Sequence, residues 1–263
     1  MTTDERPDYF DAFPTMAISR DADGILVVRL HGADAGTAVT YTAAHHHDWC
    51  RAFAAIGDDR DNRVVIITGT GDSFMDRMAY DVHIRNPQDW DESVYFDGKR
   101  MLRRLLDIEV PVIAAVNGPA TVHAELAVMS DITLASSTAT FQDSPHVPYG
   151  TVPGDGVHIV WLELLGINRG RYFLLTGQTL DAQEALRLGV VNEVLPPEQL
   201  LGRAMEHARR LAALDPVVAR YTRVVLTQRY KRLIDEGLGY GLALEGLGAL
   251  NMLARGVAAQ RLR

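Results

Sequence analysis

Residues Asn117 to Asp155 read NGPATVHAELAVMSDITLASSTATFQDSPHVPYGTVPGD, and the order of elements within them decides the fold. The residues just before, PVIAAV, form a continuous apolar run of strand length that ends in an Asn-Gly turn. ELAVMSD then reads as a short helix, and ITLAS and ATFQD read as strands. The loops between and after these elements carry His123, His146 and Asp155, the last two set among prolines and glycines. Polar loop residues on a rigid scaffold are where binding and catalysis concentrate. The rest of the chain is therefore read as the scaffold that gathers these three residues.

Upstream, MAISR and ILVVRLHG alternate like the two strands of a hairpin, with an Asp-Gly pair in the turn between them. From about Thr42 to Ile56, Trp49, Phe53 and Ile56 recur at helical spacing, with Gly57 as a stop. VVIITG is a second continuous apolar run, of the kind found in sheets covered on both faces. WDESVYFDGKRMLRRLLDI has the length and period of a long helix before Pro111. Downstream, VHIVWLELLG, NRGRYFLLTG and a segment begun by Asp181 and stopped by Gly189 are helical, and VVNEVL is the last strand. Beyond Pro196 and Pro197 the chain reads as helical, broken at Asp215-Pro216 and loosened by glycines from Gly237 to Gly248. Alternating strands and helices predict an α/β architecture of repeated crossover units.

The 263 residues are 47% hydrophobic, enough for a sizeable core. A net charge of -8, from 34 acidic and 26 basic residues, offers no electrostatic reason to bind nucleic acid or an anionic membrane. Only Lys99 and Lys231 interrupt an arginine-based set of cations. A single cysteine, Cys50, excludes an internal disulfide and fits a reducing compartment. The segment MTTDERPDYFDAFP is acidic where a signal peptide needs a basic start, and no apolar run approaches a membrane span, so a cytoplasmic protein is expected.

Each polar residue also has a plainer reading. His146, between two prolines, could serve only to satisfy backbone carbonyls, and Asp155 could be a turn residue or the N-cap of VHIVWLELLG. His123 could cap the helix that follows it, and Glu125 could be a structural carboxylate. Glu245, amid leucines and glycines, could face a helix across a subunit boundary, and Tyr41 could belong to the core. The run His45, His46, His47, Asp48 invites a metal reading. Adjacent helical residues point in different directions, however, and no metal site is expected there.

PVIAAVNGPATVHAELAVMSDITLA, FQDSPHVPYGTVPGDG, LLTGQTLDAQEALRLGVVNEVLP and the helical tail together resemble the crotonase (enoyl-CoA hydratase/isomerase) superfamily, from about residue 16 onward. The resemblance implies a crotonase-like spiral of ββα units over residues 1–195. It further implies a C-terminal helical region, 196–263, that mediates a homotrimer or a dimer of trimers. Members acting on acyl-CoA carry a GGG run after the NG turn, where a backbone N–H helps to bind the thioester oxygen. Here Thr121, Val122 and His123 stand in that place, with one residue fewer. A hydratase glutamate is replaced by His146, whereas Glu125 matches the other one.

These departures resemble the β-diketone hydrolase (6-oxocamphor hydrolase) branch, which works without a cofactor and cleaves a C–C bond by a retro-Claisen reaction. The resemblance implies His146, Asp155, His123 and Glu245 as catalytic residues. Tyr41, aligned with a tryptophan of that branch, His83, aligned with a pocket phenylalanine, and Glu125 are the implied substrate contacts, with no metal and no cofactor. In this reading His146 activates water, Asp155 holds the second ring nitrogen of His146, and His123 binds the attacked carbonyl, with Tyr41 as a second donor. The partner is a small-molecule diketone. The alternatives are an acyl-CoA hydratase or isomerase using Glu125 with His146, or a non-catalytic scaffold acting through its trimer surface.

Overall fold

The computed structural model describes residues 6–79 and 83–255, so the ends of both expected regions, 1–5 and 256–263, lie outside the described residues. The chain runs β1 (Met16–Arg20), β2 (Ile25–Leu30), β3 (Thr40–Tyr41), α1 (Ala43–Asp58), β4 (Val64–Thr68), β5 (Arg77–Met78) and α2 (Pro87–Trp90). A π-helical turn, Asp91–Tyr95, then leads into α3 (Phe96–Asp107). There follow β6 (Val112–Val116), α4 (Glu125–Val128), β7 (Ile132–Ser136), β8 (Thr140–Phe141), α5 (Val157–Leu165) and α6 (Ile167–Thr176). The last elements are β9 (Leu180–Asp181), α7 (Ala182–Arg187), β10 (Glu193–Leu195), α8 (Pro197–Ala212) and α9 (Pro216–Ala254).

The main sheet has the order β1-β2-β4-β6-β7-β10. The β1/β2 hairpin is antiparallel, pairing Met16 with Leu30, and every other pairing is parallel, with Ile66 opposite Val27 and Ile113 opposite Ile66. A parallel sheet needs cover on both faces, and β4 shows how a continuous apolar run meets that need. Val65 and Ile67 point into the larger core with α1 and α3, whereas Val64 and Ile66 pack with Leu200, Ala204 and Ala208 of α8 on the opposite face. Two small sheets, β3-β5 and β8-β9, sit beside the main one. The α/β architecture of crossover units expected from the pattern is observed, a parallel-dominated sheet with a long C-terminal helix.

The glycine-rich tail departs from expectation. Instead of being loosened at Gly237 to Gly248, α9 runs unbroken as one helix of 39 residues. Its glycines serve close approach: a Cβ on Gly241 would strike His158 and the carbonyl of Gly154, and one on Gly246 would lie 2.7 Å from the Trp90 indole nitrogen. The helix therefore gains contact with the turn that carries Asp155 and with the cavity wall at Trp90. Tertiary packing outweighs the roughly 1 kcal/mol that each helical glycine costs. At its other end, buried Arg223 donates to Asp131 at 2.7 Å and to the carbonyls of Leu106 and Ile108, anchoring α9 to the end of α3 and the start of β7. Among the described residues, no helix is long and apolar enough to cross a membrane.

Candidate active site

The loop after β6 is pinned before it reaches His123. The N–H groups of Thr121 and Val122 both donate to the Met75 carbonyl, at 2.9 and 3.1 Å, and that of Ala120 donates to Thr140. The chain then turns sharply, and His123 takes φ 46°, the one positive φ outside glycine among the described residues. A histidine in this left-handed region is uncommon and strained. What holds it is its Nδ1, which lies 2.6 Å from Oε1 of Glu125, a fully buried carboxylate at the start of α4. Burial pushes the His123 pKa down, but the charge and hydrogen bond of Glu125, helped by Asp155, lift it to about 9. His123 is thus an imidazolium at neutral pH, with Nε2 left as a donor.

His146 precedes a short 3-10 turn, and its Nδ1 lies 2.6 Å from Asp143 Oδ1, three residues back. This corrects the expectation that Asp155 would hold that second nitrogen. Asp155 instead stands between the two histidines, its Oδ2 being 3.4 Å from His123 Nδ1 and 3.5 Å from His146 Nε2. Its other oxygen approaches the Val157 N–H at 3.5 Å, so the helix-capping reading survives in weak form beside the electrostatic one. Glu245, from α9, also brings Oε1 to 3.5 Å from His146 Nε2. Burial would lower the His146 pKa, yet Asp155, Asp143 and Glu245 together raise it well above the ordinary value. Burial would raise that of Asp155, but the two imidazoles hold it low. Burial dominates at Glu245, whose pKa rises to about 7, and also lifts that of Glu125.

These groups close one end of a cavity of about 430 Å³. Its polar end is formed by Tyr41, His46, His123, His146, Asp155 and Glu245, and its walls by Met78, Ile84, Trp90, Val94, Met252 and Leu253. Tyr41 sits with its ring centroid 4.5 Å from that of His123, and His83 lies exposed at the rim. Glu125, expected among the substrate contacts, does not line the cavity; it lies behind His123 and sets that ring.

Two residues of the site were not picked out from sequence. Asp143 had a signal, an acid three residues before a histidine in a proline-held loop. His46 lay inside the histidine run read only for metal. The three rings of that run point three ways, as helical geometry requires. His45 closes the capping box with Thr42 and reaches the His31 carbonyl, His47 points outward to Asp97, and His46 stacks 6.4 Å from His123. Burial, then the charge of His123, lowers the His46 pKa to about 4, so this ring stays neutral. As donor sets for a cation, His123, Glu125 and Asp155 form one cluster, and His146, Asp155 and Glu245 another.

Residues 20–238 match the family model for enoyl-CoA hydratase/isomerase. The chain belongs to that family. Within it, the crotonase fold is shared with a β-diketone hydrolase from the cyanobacterium Anabaena sp. PCC 7120, solved with (S)-3-oxocyclohexyl acetic acid bound. That enzyme is 50% identical, with a TM-score of 0.91 over 94% of this chain and 98% of the other. An enoyl-CoA hydratase/isomerase structure from Mycobacterium paratuberculosis is 26% identical, with a TM-score of 0.81 over 90% and 94% of the two chains. A short-chain-enoyl-CoA hydratase from Clostridium acetobutylicum is 34% identical over 189 residues, 70% of this chain and 71% of that protein. The chain is thus similar to enzymes named for both chemistries, and the residues of the cavity must decide between them.

Proposed function

We propose that this crotonase-fold enzyme hydrolyses a cyclic or bicyclic β-diketone without a cofactor, cleaving the C–C bond between the carbonyls by a retro-Claisen reaction to give a keto acid. The observation that carries this reading is His123. An imidazolium held by Glu125 stands where a glycine-lined thioester site would expose backbone N–H groups, and the neighbouring amides of Thr121 and Val122 are already committed to Met75. The likeness to a hydrolase solved with a keto acid supports the same substrate class. Apolar walls suit a hydrocarbon ring. Among the described lining residues Arg85 is the one permanent cation, and Asp89 already pairs with it at 2.8 Å, which leaves little to hold the phosphates of CoA.

The electrostatics redistribute the roles expected from sequence. A protonated His146 cannot take a proton from water, whereas Glu245, with its pKa near 7, can. Pairs of groups whose environments push them apart mark acid and base. His123 Nε2, with Tyr41 beside it, binds the carbonyl under attack and stabilises the tetrahedral oxyanion. Glu245 accepts the proton of the attacking water. The C–C bond then breaks, its electrons leaving as the enolate of the second carbonyl, and the His146 imidazolium protonates that carbon. Transfer of the proton from Glu245 to His146 across the 3.5 Å gap resets the site. Asp155 stabilises both imidazolium ions, and Asp143 fixes the His146 ring.

Incubation with a panel of non-enolisable cyclic and bicyclic diones, with neither CoA nor added metal, tests this reading. Keto acid formation that is lost in His146→Ala and Asp155→Asn is expected; an inert panel, together with tight acyl-CoA binding, would instead favour a hydratase. The hydratase reading expected from sequence uses Glu125 with His146, and Glu125 faces His123 and does not line the cavity. We also propose a homotrimer or dimer of trimers. Exposed Val217, Tyr221, Val225 and Leu226 on α9 and Tyr172 and Leu175 on α6 supply apolar surface for it, and light scattering measures the mass.

A further inference from the structure

We propose that His146 Nε2, Asp155 and Glu245 form a binding site for one divalent late first-row transition cation, with Zn²⁺ as the type, and that the cation switches the hydrolase off. The binding half of this inference stands on geometry alone; the inhibitory half rests on the roles of His146 and Glu245 argued above.

Three donors from three different segments converge there. One imidazole nitrogen and two carboxylate oxygens lie within 4.8 Å of one another, with His146 Nε2 at 3.5 Å from Asp155 Oδ2 and at 3.5 Å from Glu245 Oε1. That spacing is long for a charge-assisted hydrogen bond, whose usual length is about 2.7–2.9 Å. It matches the ligand-to-ligand separation of about 3.4 Å around a tetrahedral ion with bonds of roughly 2.0–2.1 Å. Glu245 is more than nine-tenths buried, and its second oxygen, Oε2, has no hydrogen-bond partner among the described residues.

The surroundings of His146 are those of a metal ligand. Its Nδ1 is bound to Asp143 at 2.6 Å, and a histidine that ligates through one nitrogen is commonly oriented by a carboxylate on the other. The cation would take the position of the Nε2 proton. Its fourth position opens into the cavity of about 430 Å³, so the site is three protein ligands plus one open place. Four carboxylates, Glu125, Asp143, Asp155 and Glu245, surround the two imidazoles of His123 and His146, which makes the region rich in anionic donors. The neighbouring set of His123, Glu125 and Asp155 is poorer, because its nitrogen, Nδ1, is already engaged with Glu125 at 2.6 Å. A single imidazole with two carboxylates selects zinc, cobalt and nickel over magnesium and calcium, which prefer all-oxygen cages. Once bound, the cation occupies both proton-handling groups and turnover stops.

The test uses the full chain, dialysed against EDTA, titrated with Co²⁺ as a spectroscopic stand-in. An intense visible band of four-coordinate cobalt should grow to one equivalent and be bleached by one equivalent of Zn²⁺. The band should be lost in His146→Ala, and Asp143→Asn should weaken Co²⁺ binding by about 10- to 100-fold. Should His146→Ala fail to fold, Glu245→Gln carries the same expectation. Zn²⁺ should also abolish dione turnover, and EDTA should restore it. Pale six-coordinate cobalt alone, or a band of equal strength in the variants, overturns the site. Because the spectrum is read without substrate, a band without dione turnover refutes only the proposed function. Turnover without a band refutes only the cation site, and turnover undiminished by bound Zn²⁺ refutes the switch.

Discussion

Replacing Glu245 by glutamine should slow the enzyme and stabilise the protein at once. The carboxyl is buried, and its pKa rises from an ordinary 4.5 to about 7, so above that pH the folded chain carries an ionised group that its surroundings disfavour. A folded-state pKa above the unfolded one means that stability falls as pH rises from 4.5 through 7. The full shift corresponds to a penalty of up to about 3 kcal/mol at pH 8, nearly absent at pH 4.5. Glutamine removes the penalty, and for a chain of this size each kcal/mol moves the melting temperature by roughly 2–4 °C. Loss of the base should lower kcat by about 100- to 10,000-fold and abolish the rising limb near pH 7. Thermal melts at both pH values and initial rates of dione consumption measure both effects. A variant that melts lower at pH 8, or one that keeps the wild-type rate and pH limb, would refute the assignment of Glu245 as the base.

Asp143→Asn should lower kcat by about 100-fold or more with little change in KM, because Asp143 orients His146 without lining the cavity. The same change should let His146 lose its proton at lower pH, which NMR titration of its ring would read. His123→Asn keeps a residue type that tolerates positive φ but removes the carbonyl donor, and it should cost about 3–4 kcal/mol in the barrier. Since the His123 pKa is raised to about 9, its stabilising contribution is full below about 6.5 and fades as pH rises through 9; the stability gap between wild type and this variant should therefore narrow over that range in denaturant titrations. Gly241→Ala, which would gain about 1 kcal/mol in an isolated helix, should here lower the melting temperature and the activity, because its Cβ meets His158 and the Gly154 carbonyl beside Asp155.

The fold was largely legible because its strands are buried on both faces, which leaves runs such as VVIIT and VIAAV with no polar interruption. Helix α9 was misread because glycine propensity is a local quantity, whereas the contacts that favour glycine at Gly241 and Gly246 come from Gly154 and Trp90, remote in sequence. In the site, positions were easier to read than partners. His123, His146, Asp155 and Glu245 converge as expected, but pairing depends on ring orientation, which sequence order does not encode. Asp143 therefore took the place expected for Asp155, and Glu125 turned from the cavity to His123. The raised pKa values of both histidines follow from that pairing and could not be foreseen without it. His46 enters the cavity through the geometry of one helical turn in a run of three histidines, where sequence alone does not say which ring faces inward.

The most direct test of the central claim is hydrolysis of a bicyclic β-diketone in water enriched in heavy oxygen, with neither CoA nor metal, followed by mass spectrometry of the product. The account predicts a keto acid carrying one solvent oxygen in its new carboxyl group, formed by wild type and lost with His146→Ala. Keto acid without solvent oxygen, or no product from any dione while an enoyl-CoA is hydrated, would contradict it.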